Sequence, residues 1–430
     1  MEKMTNIKLQ SLLRKALALV VWIPLAAPVF GAEVIYTATE SKIMTFAPGT
    51  SVAAMRSAAE ASGAKVLREL PLIDAVEVVP SATRMEVRLA AFSSKGIRSI
   101  EPNEYRKWIE TVSPEALRAA DPLAGASLGA ARGGDVPEAT EGEAKEGDNA
   151  ATPDEKYFWG LKRVKAPGIW KQATGKGVKV AVIDTGIDYT HPDLASNYVG
   201  GYNALDPKKD PIDDHGHGTH VAGTIAGAGE KAVVGVAPRA SLYAVKVLDA
   251  DGGGSYASII AGIQWAVENK MDIVNMSLGG PASPALQKAI QAAYKAGVTV
   301  VAAAGNDPEA PVSAPAMYEE TICVSASTFD DKLAFFSTTG PEVDFIAPGH
   351  EIDSSWPGGK IARLSGTSMA TPHMAGLAAL AKQLGARGPD AIRSKLAQAA
   401  GLLPDLTADQ QGAGLVEADR WVKALMASTK

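Results

Sequence analysis

From about residue 153 onward, short apolar runs alternate with helical patterns, and this alternation constrains the fold more than any other feature of the chain. The runs are nearly continuous and rich in valine and isoleucine. Such runs are typical of parallel strands buried on both faces, with the intervening helices covering the sheet. We therefore predict an α/β fold with a doubly wound parallel sheet and helices on both faces. The predicted strands and helices lie at 178–183, 218–226, 241–247, 256–269, 272–276, 286–296, 298–303 and 368–384.

Residues 33 to about 110 have a different pattern, which predicts a smaller separate unit. Strand patterns and helical patterns follow one another there in the order βαββαβ, and this order is typical of a ferredoxin-like α+β sandwich. The predicted strands lie at 34–36, 43–46, 64–70, 75–79 and 97–100, and the predicted helices at 52–63 and 83–92.

The segments outside these two units have compositions of their own. Residues 1–32 begin with basic side chains and continue with an apolar stretch at 16–30, which predicts a secretory signal peptide cleaved near Gly31 or Ala32. The alternative is an uncleaved membrane anchor. Residues 111–152 are rich in alanine, glycine and acidic residues and predict a flexible linker. The large domain would then comprise residues 153–430.

Charge and cysteine content exclude some classes of function. The 430 residues carry a net charge of −6, so no nucleic-acid partner is expected. Cys323 is the only cysteine, which excludes an intramolecular disulfide bond, and its apolar neighbours predict a buried core thiol. We expect a monomer.

Three short motifs carry residue types that together can cleave a peptide bond. Asp184 ends an apolar run, His217 opens a His-Gly-Thr-His motif, and Ser368 lies in a Gly-Thr-Ser-Met-Ala motif. A serine hydroxyl needs an imidazole to take its proton, and the imidazole needs a carboxylate to fix its tautomer. Unpaired N–H groups at the start of the helix that Ser368 begins would stabilise an oxyanion.

Each of these residues also has a plainer interpretation. Ser368 could be a helix N-cap, and Asp184 could be a turn residue, with Asp188 as its rival for a catalytic role. His217 lies in a cluster that could suggest zinc, although no nearby cysteine completes such a site. We expect His220 to be a buried packing residue and His215 to lie on the surface.

The chain order of aspartate, histidine and serine separates the candidate folds, and here it resembles the subtilisin family of serine endopeptidases. The resemblance extends from about residue 157 to about residue 421. It implies a subtilisin-like fold, a triad of Asp184, His217 and Ser368, and an acyl-enzyme intermediate without a catalytic cofactor. It also implies Asn306 as an oxyanion donor, for which the plainer reading is a turn asparagine. Residues 33–110 are similar to the propeptides that assist folding and inhibit the active site, so a self-processing secreted precursor is expected.

Two glycine-rich segments are predicted to bind the main chain of protein or peptide substrates, because glycine lets a backbone approach closely and pair as an added strand. An apolar P1 residue is expected, since no carboxylate is placed at the pocket floor. The predicted substrate-binding residues are Gly252, Gly253, Gly254, Tyr256, Ser277, Leu278, Gly279, Gly280 and Ser313.

A structural calcium ion is a further expectation. Asp193 matches a calcium ligand of the resembled family, but the loop at 226–234 is short and lacks asparagine. Asp206, Asp210 and Asp213 belong to an acidic loop that offers oxygen ligands, for which the alternative is a solvated turn.

Two other classes of protein fit parts of the pattern. A subtilisin-like module without activity would share the fold, but it would be expected to lack a residue of the triad. A nucleotide-binding enzyme would share the strands and glycine-rich loops, but no complete G-x-G-x-x-G motif follows a first strand.

Overall fold

The computed structural model describes residues 33–37, 41–80, 84–88, 96–109, 112 and 158–421. The signal peptide predicted at 1–32 and almost all of the linker predicted at 111–152 lie outside the described residues. Among the helices that are described, none has both the length and the apolar character needed to span a membrane. We call residues 33–109 the N-terminal unit and residues 158–421 the C-terminal unit.

The C-terminal unit is built on a nine-stranded sheet, which confirms the predicted α/β fold. Its strands are β8 (Lys179–Asp184), β9 (Tyr198–Asn203), β10 (Ser241–Lys246), β12 (Ile273–Met276), β13 (Thr299–Ala303), β14 (Thr321–Ser327), β15 (Phe345–Pro348), β18 (Ala400–Gly401) and β19 (Leu415–Val416). Their order across the sheet is β18-β19-β15-β14-β13-β12-β8-β10-β9. All neighbours are parallel except β18 and β19. The strand order changes direction at β8, and in such sheets sites form beyond the carboxyl ends of the strands at this point.

Helices cover both faces of this sheet. They are α2 (Trp159–Arg163), α3 (Pro192–Ala195), α4 (His217–Ala226), α5 (Tyr256–Glu268), α6 (Pro284–Lys295), α7 (Thr367–Gln383), α8 (Pro389–Ala399) and α9 (Ala408–Gln411). Successive residues of β8 point to opposite faces. Val180 and Val182 join the core formed with α4 and α7, whereas Ala181 and Ile183 join the core formed with α5 and α6.

The N-terminal unit contains a four-stranded antiparallel sheet with a helix on one face, consistent with the ferredoxin-like prediction. Its elements are β1 (Glu33–Thr37), β2 (Lys42–Phe46), α1 (Val52–Ala61), β3 (Ala64–Leu70), β4 (Ala75–Pro80), β5 (Arg84–Arg88), β6 (Ile97–Pro102) and β7 (Tyr105–Lys107). The sheet order is β3-β4-β2-β6.

The helix predicted at 83–92 is wrong for residues 84–88, which form β5 and pair antiparallel with β1. In this segment charged residues alternate with Met85 and Val87. That alternation has the period of a strand rather than that of a helix.

Two short strand pairs complete the fold near the site. β7 of the N-terminal unit pairs antiparallel with β11 (Gly253–Ser255) of the C-terminal unit. β16 (Ile352–Trp356) and β17 (Lys360–Leu364) form a hairpin that precedes α7 in the chain.

Candidate active site

Asp184 and His217 meet at the carboxyl edge of the sheet. Asp184 is the last residue of β8, and His217 is the first residue of α4. His217 Nδ1 lies 2.8 Å from Asp184 Oδ1 and 3.0 Å from Oδ2, and both side chains are buried. A carboxylate only accepts hydrogen bonds, so this contact assigns the proton of the neutral imidazole to Nδ1 and leaves a lone pair on Nε2.

The start of α4 is held by Asp213, a role that sequence reasoning missed. Its Oδ1 accepts hydrogen bonds from the N–H groups of His215 and Gly216, and its Oδ2 accepts from the Thr219 N–H and hydroxyl. The Thr185 hydroxyl, next to Asp184, also donates to Asp213 Oδ1 at 2.8 Å. Asp213 therefore ties the first turn of α4 to the end of β8.

Ser368 lies in the first turn of α7 and exchanges two hydrogen bonds with Ser277, which follows β12. Its hydroxyl donates to Ser277 O at 3.1 Å, and the Ser277 hydroxyl donates to Ser368 O at 2.8 Å. Among the described residues, His217 Nε2 is buried without a hydrogen-bond partner. In this conformation the serine hydroxyl rests on Ser277 rather than on His217.

Pro372 explains why Ser277 can bind the Ser368 carbonyl. α7 begins at Thr367, so Pro372 is its sixth residue and lies beyond the first turn, inside the helix. A residue here would normally donate its N–H to Ser368 O, four residues earlier, but proline has no N–H. The Ser277 hydroxyl therefore donates to Ser368 O in place of that backbone N–H.

Asn306 lies beside Ser368 and is oriented by Thr367. The Thr367 N–H donates to Asn306 Oδ1 at 2.8 Å, and the Thr367 hydroxyl lies 3.0 Å from the same oxygen. The amide oxygen is therefore engaged, which leaves Nδ2 as the donor end of the side chain. A Cβ atom on Gly366 would lie 3.3 Å from Asn306 Nδ2 and 3.6 Å from the Ser368 nitrogen. Glycine at 366 keeps open a space that both donors border.

The predicted substrate-binding segments enclose an extended stretch of the N-terminal unit. Besides the β7–β11 pairing, the Trp108 N–H donates to Gly252 O, and the Gly279 N–H donates to Trp108 O, both at 3.0 Å. Backbone of the chain itself is thus bound between the two glycine-rich segments.

The Trp108 side chain fills a buried apolar subsite of this cleft. Its indole N–H donates to Gly254 O at 2.8 Å, and its ring meets Tyr256 edge-to-face with centroids 4.9 Å apart. A Cβ atom on Gly280 would lie 2.7 Å from the indole ring. A larger residue at 280 would therefore exclude this ring.

Leu278, Gly279 and Ser313 lie together in the adjacent wall. Leu278 is buried, and a Cβ atom on Gly279 would lie 2.3 Å from Ser313 Oγ. The Ser313 hydroxyl donates to Ala304 O, so the serine is held against the strand end that leads to Asn306.

The other histidines near α4 have structural surroundings. His220 is fully buried, as expected, and its Nε2 contacts the carbonyls of Ile352 and Ala362 at 2.9 and 3.1 Å. Burial lowers the pKa of His220 to about 3, so it is neutral in the folded protein. His215 was expected on the surface, but it is partly buried, and burial lowers its pKa.

The predicted metal ligands do not converge. Within the described ranges, no three His, Cys, Asp or Glu side chains are grouped so that they could hold a metal ion. Asp206 accepts from the Lys208 N–H, and Asp210 accepts from the Tyr189 hydroxyl at 3.4 Å. Asp213 is saturated by its contacts to α4. Asp210 is exposed and Asp206 is half-buried, whereas Asp213 is buried, so a calcium site in this loop stays a prediction.

The family comparison identifies the chain. The sequence profile of the subtilase family, peptidase S8, matches residues 175–417, more than half of the protein. The chain belongs to the subtilase family. The "Intracellular serine protease" of Paenibacillus polymyxa is 49% identical over 236 residues, which is 52% of this chain and 72% of the relative. "Subtilisin E" of Bacillus subtilis (strain 168) is 50% identical over 230 residues, 52% of this chain and 60% of the relative. "Subtilisin Savinase" of Lederbergia lenta is 50% identical over 228 residues, 52% of this chain and 84% of the relative.

The family match and the fold together identify this subtilase as a subtilisin-like serine endopeptidase. The match to subtilisin E spans less than two thirds of that relative. The N-terminal unit of this subtilase lies outside the residues matched by the family profile and has the architecture of a propeptide-like region.

Proposed function

We propose that this subtilase cleaves protein and peptide substrates through Asp184, His217 and Ser368, with Asn306 as an oxyanion donor. The observation that carries the proposal is the occupied cleft. An extended segment, residues 105–109, is bound through its backbone between the glycine-rich segments, and the second segment begins at Ser277, the hydrogen-bond partner of Ser368. A site that binds extended backbone beside a serine at a helix start suits a peptide substrate.

The chemistry follows from the contacts of each side chain. The Ser368 hydroxyl leaves Ser277 O, gives its proton to His217 Nε2, and attacks the scissile carbonyl carbon. Asp184 stabilises the imidazolium that forms. The oxyanion accepts hydrogen bonds from the Ser368 N–H and from Asn306 Nδ2, which border the space over Gly366.

Collapse of this intermediate breaks the C–N bond. His217 returns the proton to the leaving amine, and an acyl ester on Ser368 remains. A water molecule then gives a proton to His217 and attacks the ester carbonyl, which releases the carboxylic acid and restores the serine hydroxyl.

Specificity is broad, with apolar residues preferred at P1. Backbone pairing with the segments at 252–254 and 277–280 supports tolerance of sequence, because it uses groups that every substrate residue has. The burial of Trp108 against Tyr256 supports acceptance of a large apolar side chain at one subsite of the cleft, and the preference at P1 is a separate part of the proposal. Cleavage-site mapping on an unfolded protein would test this, and products ending mainly in Lys, Arg or Glu would contradict it.

The protein is made as a precursor in which residues 33–110 inhibit the active site. Contacts outside the cleft support this role: Arg68 donates to Ala204 O at 2.7 Å, and the Ala257 N–H donates to the Asn103 side chain at 2.8 Å. Cleavage by the enzyme's own Ser368 would release the C-terminal unit, with the new N-terminus between Thr111 and Tyr157.

The precursor is exported through the segment at 1–32. Its basic residues followed by an apolar stretch support secretion. The alternative, retention inside the cell, draws on the name of the relative called an intracellular serine protease. Cell fractionation decides between them, and N-terminal sequencing locates both the signal cleavage and the maturation cleavage.

One experiment tests the proposed activity directly. Purified protein is incubated with an unfolded protein substrate, with and without a serine-directed sulfonyl fluoride. Hydrolysis should stop when the inhibitor reacts, and peptide mapping should place the adduct on Ser368. Hydrolysis that continues in the fully modified protein would contradict the assignment of the nucleophile.

A further inference from the structure

Asp193 is the residue through which the resemblance implies a calcium site, and a loop covers its side chain. Asp193 lies in α3 and is fully buried. Residues 226–234 fold over it, with Ala228 and Val234 forming an antiparallel bridge. The Ala228 N–H also donates to the backbone carbonyl of Asp193 at 2.7 Å.

The Asp193 carboxylate accepts hydrogen bonds from three successive backbone N–H groups of this loop. The Lys231 N–H lies 2.6 Å from Oδ1, the Ala232 N–H lies 3.2 Å from both oxygens, and the Val233 N–H lies 3.1 Å from Oδ2. Successive N–H groups of this kind form a concavity that binds anions. The hydrogen atoms of these N–H groups carry partial positive charge and point at the carboxylate. They occupy the side from which a cation would bind it.

The loop also offers few side-chain oxygens to a calcium ion. Calcium takes six to eight oxygen ligands. Glu230 carries the only side-chain oxygens between 226 and 234, and it is exposed. Lys231 adds a positive charge, and its ammonium donates to Gly359 O at 2.9 Å. These residues do not fit a calcium ion.

We infer that the N–H groups of residues 231–233 replace a metal ion at Asp193 and form a metal-free clasp. We call Asp193 and these three N–H groups the amide clasp. It stabilises the buried carboxylate with hydrogen bonds instead of with a cation, and these bonds hold the loop at 226–234 in place.

The amide clasp supports the hairpin of β16 and β17 through its tip. Lys231 binds Gly359 O, and the His191 ring binds Lys360 O at 2.9 Å. His191 Nδ1 accepts from the Asp193 N–H, so its proton is on Nε2, which donates to the Lys360 carbonyl. Since the hairpin also contacts His220 on α4 and leads into α7, the amide clasp stabilises both elements of the active site without metal.

The test compares unfolding rates of full-length protein in calcium and in the chelator EGTA. The parent is the Ser368→Ala variant, because it prevents self-digestion and leaves the amide clasp untouched. Unfolding in denaturant is followed by tryptophan fluorescence. If calcium changes the unfolding rate of the parent, it should change that of Asp193→Asn by the same factor, because the ion then binds away from Asp193. Asp193→Asn should unfold at least about tenfold faster in both solutions, because its NH₂ group faces N–H donors and leaves buried donors unpaired.

Glu230→Gln is the matched control, because it removes the only carboxylate of the loop and leaves the amide clasp intact. It should unfold like the parent in both solutions. Calcium binding is measured in parallel by titration with Ca²⁺ alone. The parent and Asp193→Asn should bind the same number of calcium ions, and a calcium effect shared by both variants supports the inference, since the ion then binds elsewhere.

A calcium ion bound by the parent and lost in Asp193→Asn would overturn the inference. So would slower unfolding in calcium that disappears in Glu230→Gln. The second comparison does not require Asp193→Asn to fold, so the inference stays testable if that variant is lost. None of these readouts uses peptidase activity, and none depends on the triad assignment.

Discussion

The N-terminal and C-terminal units each contain a sheet with two apolar faces, but among the described residues only the C-terminal unit covers both faces with helices of its own. In the N-terminal unit, Met44 and Val76 pack against α1. Ile43 and Leu70, on the other face, belong to the core that includes α5 and α6 of the C-terminal unit. The N-terminal unit therefore completes its second core only on the C-terminal unit.

The polar contacts between the units also involve helices of the C-terminal unit. The Asn103 side chain accepts from the Ala257 N–H at the start of α5, and Glu101 accepts from the Ala285 N–H at the start of α6. The first N–H groups of a helix lack intrahelical partners. The N-terminal unit thus supplies acceptors at the positive ends of the two helices on which it packs. We therefore predict that peptide hydrolysis depends on residues of the C-terminal unit alone, whereas occupation of the cleft depends on both units.

The largest expected effect is that of Ser368→Ala on peptide hydrolysis. Removal of the nucleophile should lower turnover by about 10⁶-fold, the magnitude known for subtilisin itself. The purified variant should also stay full length after signal removal, while wild type shortens at a rate independent of concentration. Turnover is measured on a chromogenic peptide, and length by mass spectrometry.

Among the described residues, the contacts between the units do not involve the Ser368 side chain, whose hydroxyl donates to Ser277 O. Ser368→Ala should therefore keep the N-terminal unit bound, and protection of its backbone from hydrogen exchange should persist. Equal shortening of this variant in a protease-free preparation would rule out self-processing.

The second prediction concerns stability at acid pH. It applies to the C-terminal unit, because all six histidines lie there. Burial lowers the pKa of His220 to about 3 and that of His373 to about 4. The unfolded chain takes up protons on both below pH about 6.5. Stability from these two groups is therefore present above pH 6.5 and is lost as pH falls toward 4.

At pH about 4.5, each of the two histidines should shift the unfolding equilibrium about 100-fold toward the unfolded state. Unfolding of the Ser368→Ala protein is measured across this pH range. His220→Gln keeps a donor for the Ile352 carbonyl and removes one titrating group, so its pH dependence should be shallower. An unchanged slope would show that His220 does not titrate on unfolding.

The third prediction concerns Asn306. Its replacement by alanine removes a donor that borders the space over Gly366, so kcat should fall about 100- to 1000-fold with little change in KM, the range known for subtilisin. Steady-state kinetics on the processed enzyme measure both constants. A change confined to KM would assign Asn306 to substrate binding only.

The sequence predicts the sheet of the C-terminal unit correctly but assigns part of the N-terminal unit to the wrong element. The parallel sheet was predictable because continuous apolar runs at 178–183 and 298–303 fit few structures other than buried strands. The helix predicted at 83–92 was wrong for residues 84–88, where charged and apolar side chains alternate with the period of a strand and β5 pairs with β1.

The site shows a similar limit. The motifs locate Asp184, His217 and Ser368, because each motif is contiguous in the chain. The exchange of hydrogen bonds between Ser277 and Ser368, and the anchoring of α4 by Asp213, depend on segments that only the fold brings together. The N–H groups that surround Asp193 are likewise invisible in the sequence, since every residue except proline has an N–H group.

The fourth prediction tests occupation of the cleft. Trp108 is buried in its subsite, so Trp108→Ala should weaken the hold of the N-terminal unit by about 30-fold or more. In full-length Ser368→Ala protein, a peptide ligand competes with residues 105–109, and its apparent Kd should fall by a similar factor. Fluorescence anisotropy of a labelled peptide measures this Kd.

Tyr105→Phe provides the matched control for Trp108→Ala. Tyr105 is exposed, and its hydroxyl donates to Asp249 at 2.6 Å. Loss of an exposed hydrogen bond should change the apparent Kd by only about fivefold or less. Equal effects of the two substitutions would mean that burial of the indole does not hold the segment in the cleft.

The smallest expected effect is that of Glu101→Gln at the start of α6. The Glu101 carboxylate accepts from the Ala285 N–H at 3.2 Å and lies 3.4 Å from the Ser283 hydroxyl. Glutamine keeps an acceptor oxygen and loses only the charge that interacts with the helix dipole. The apparent Kd of the competing peptide should therefore fall by about two- to fivefold, and the effect should shrink as salt is added. A fall as large as that of Trp108→Ala, or one independent of salt, would contradict the assignment of the effect to the Glu101 charge at the start of α6.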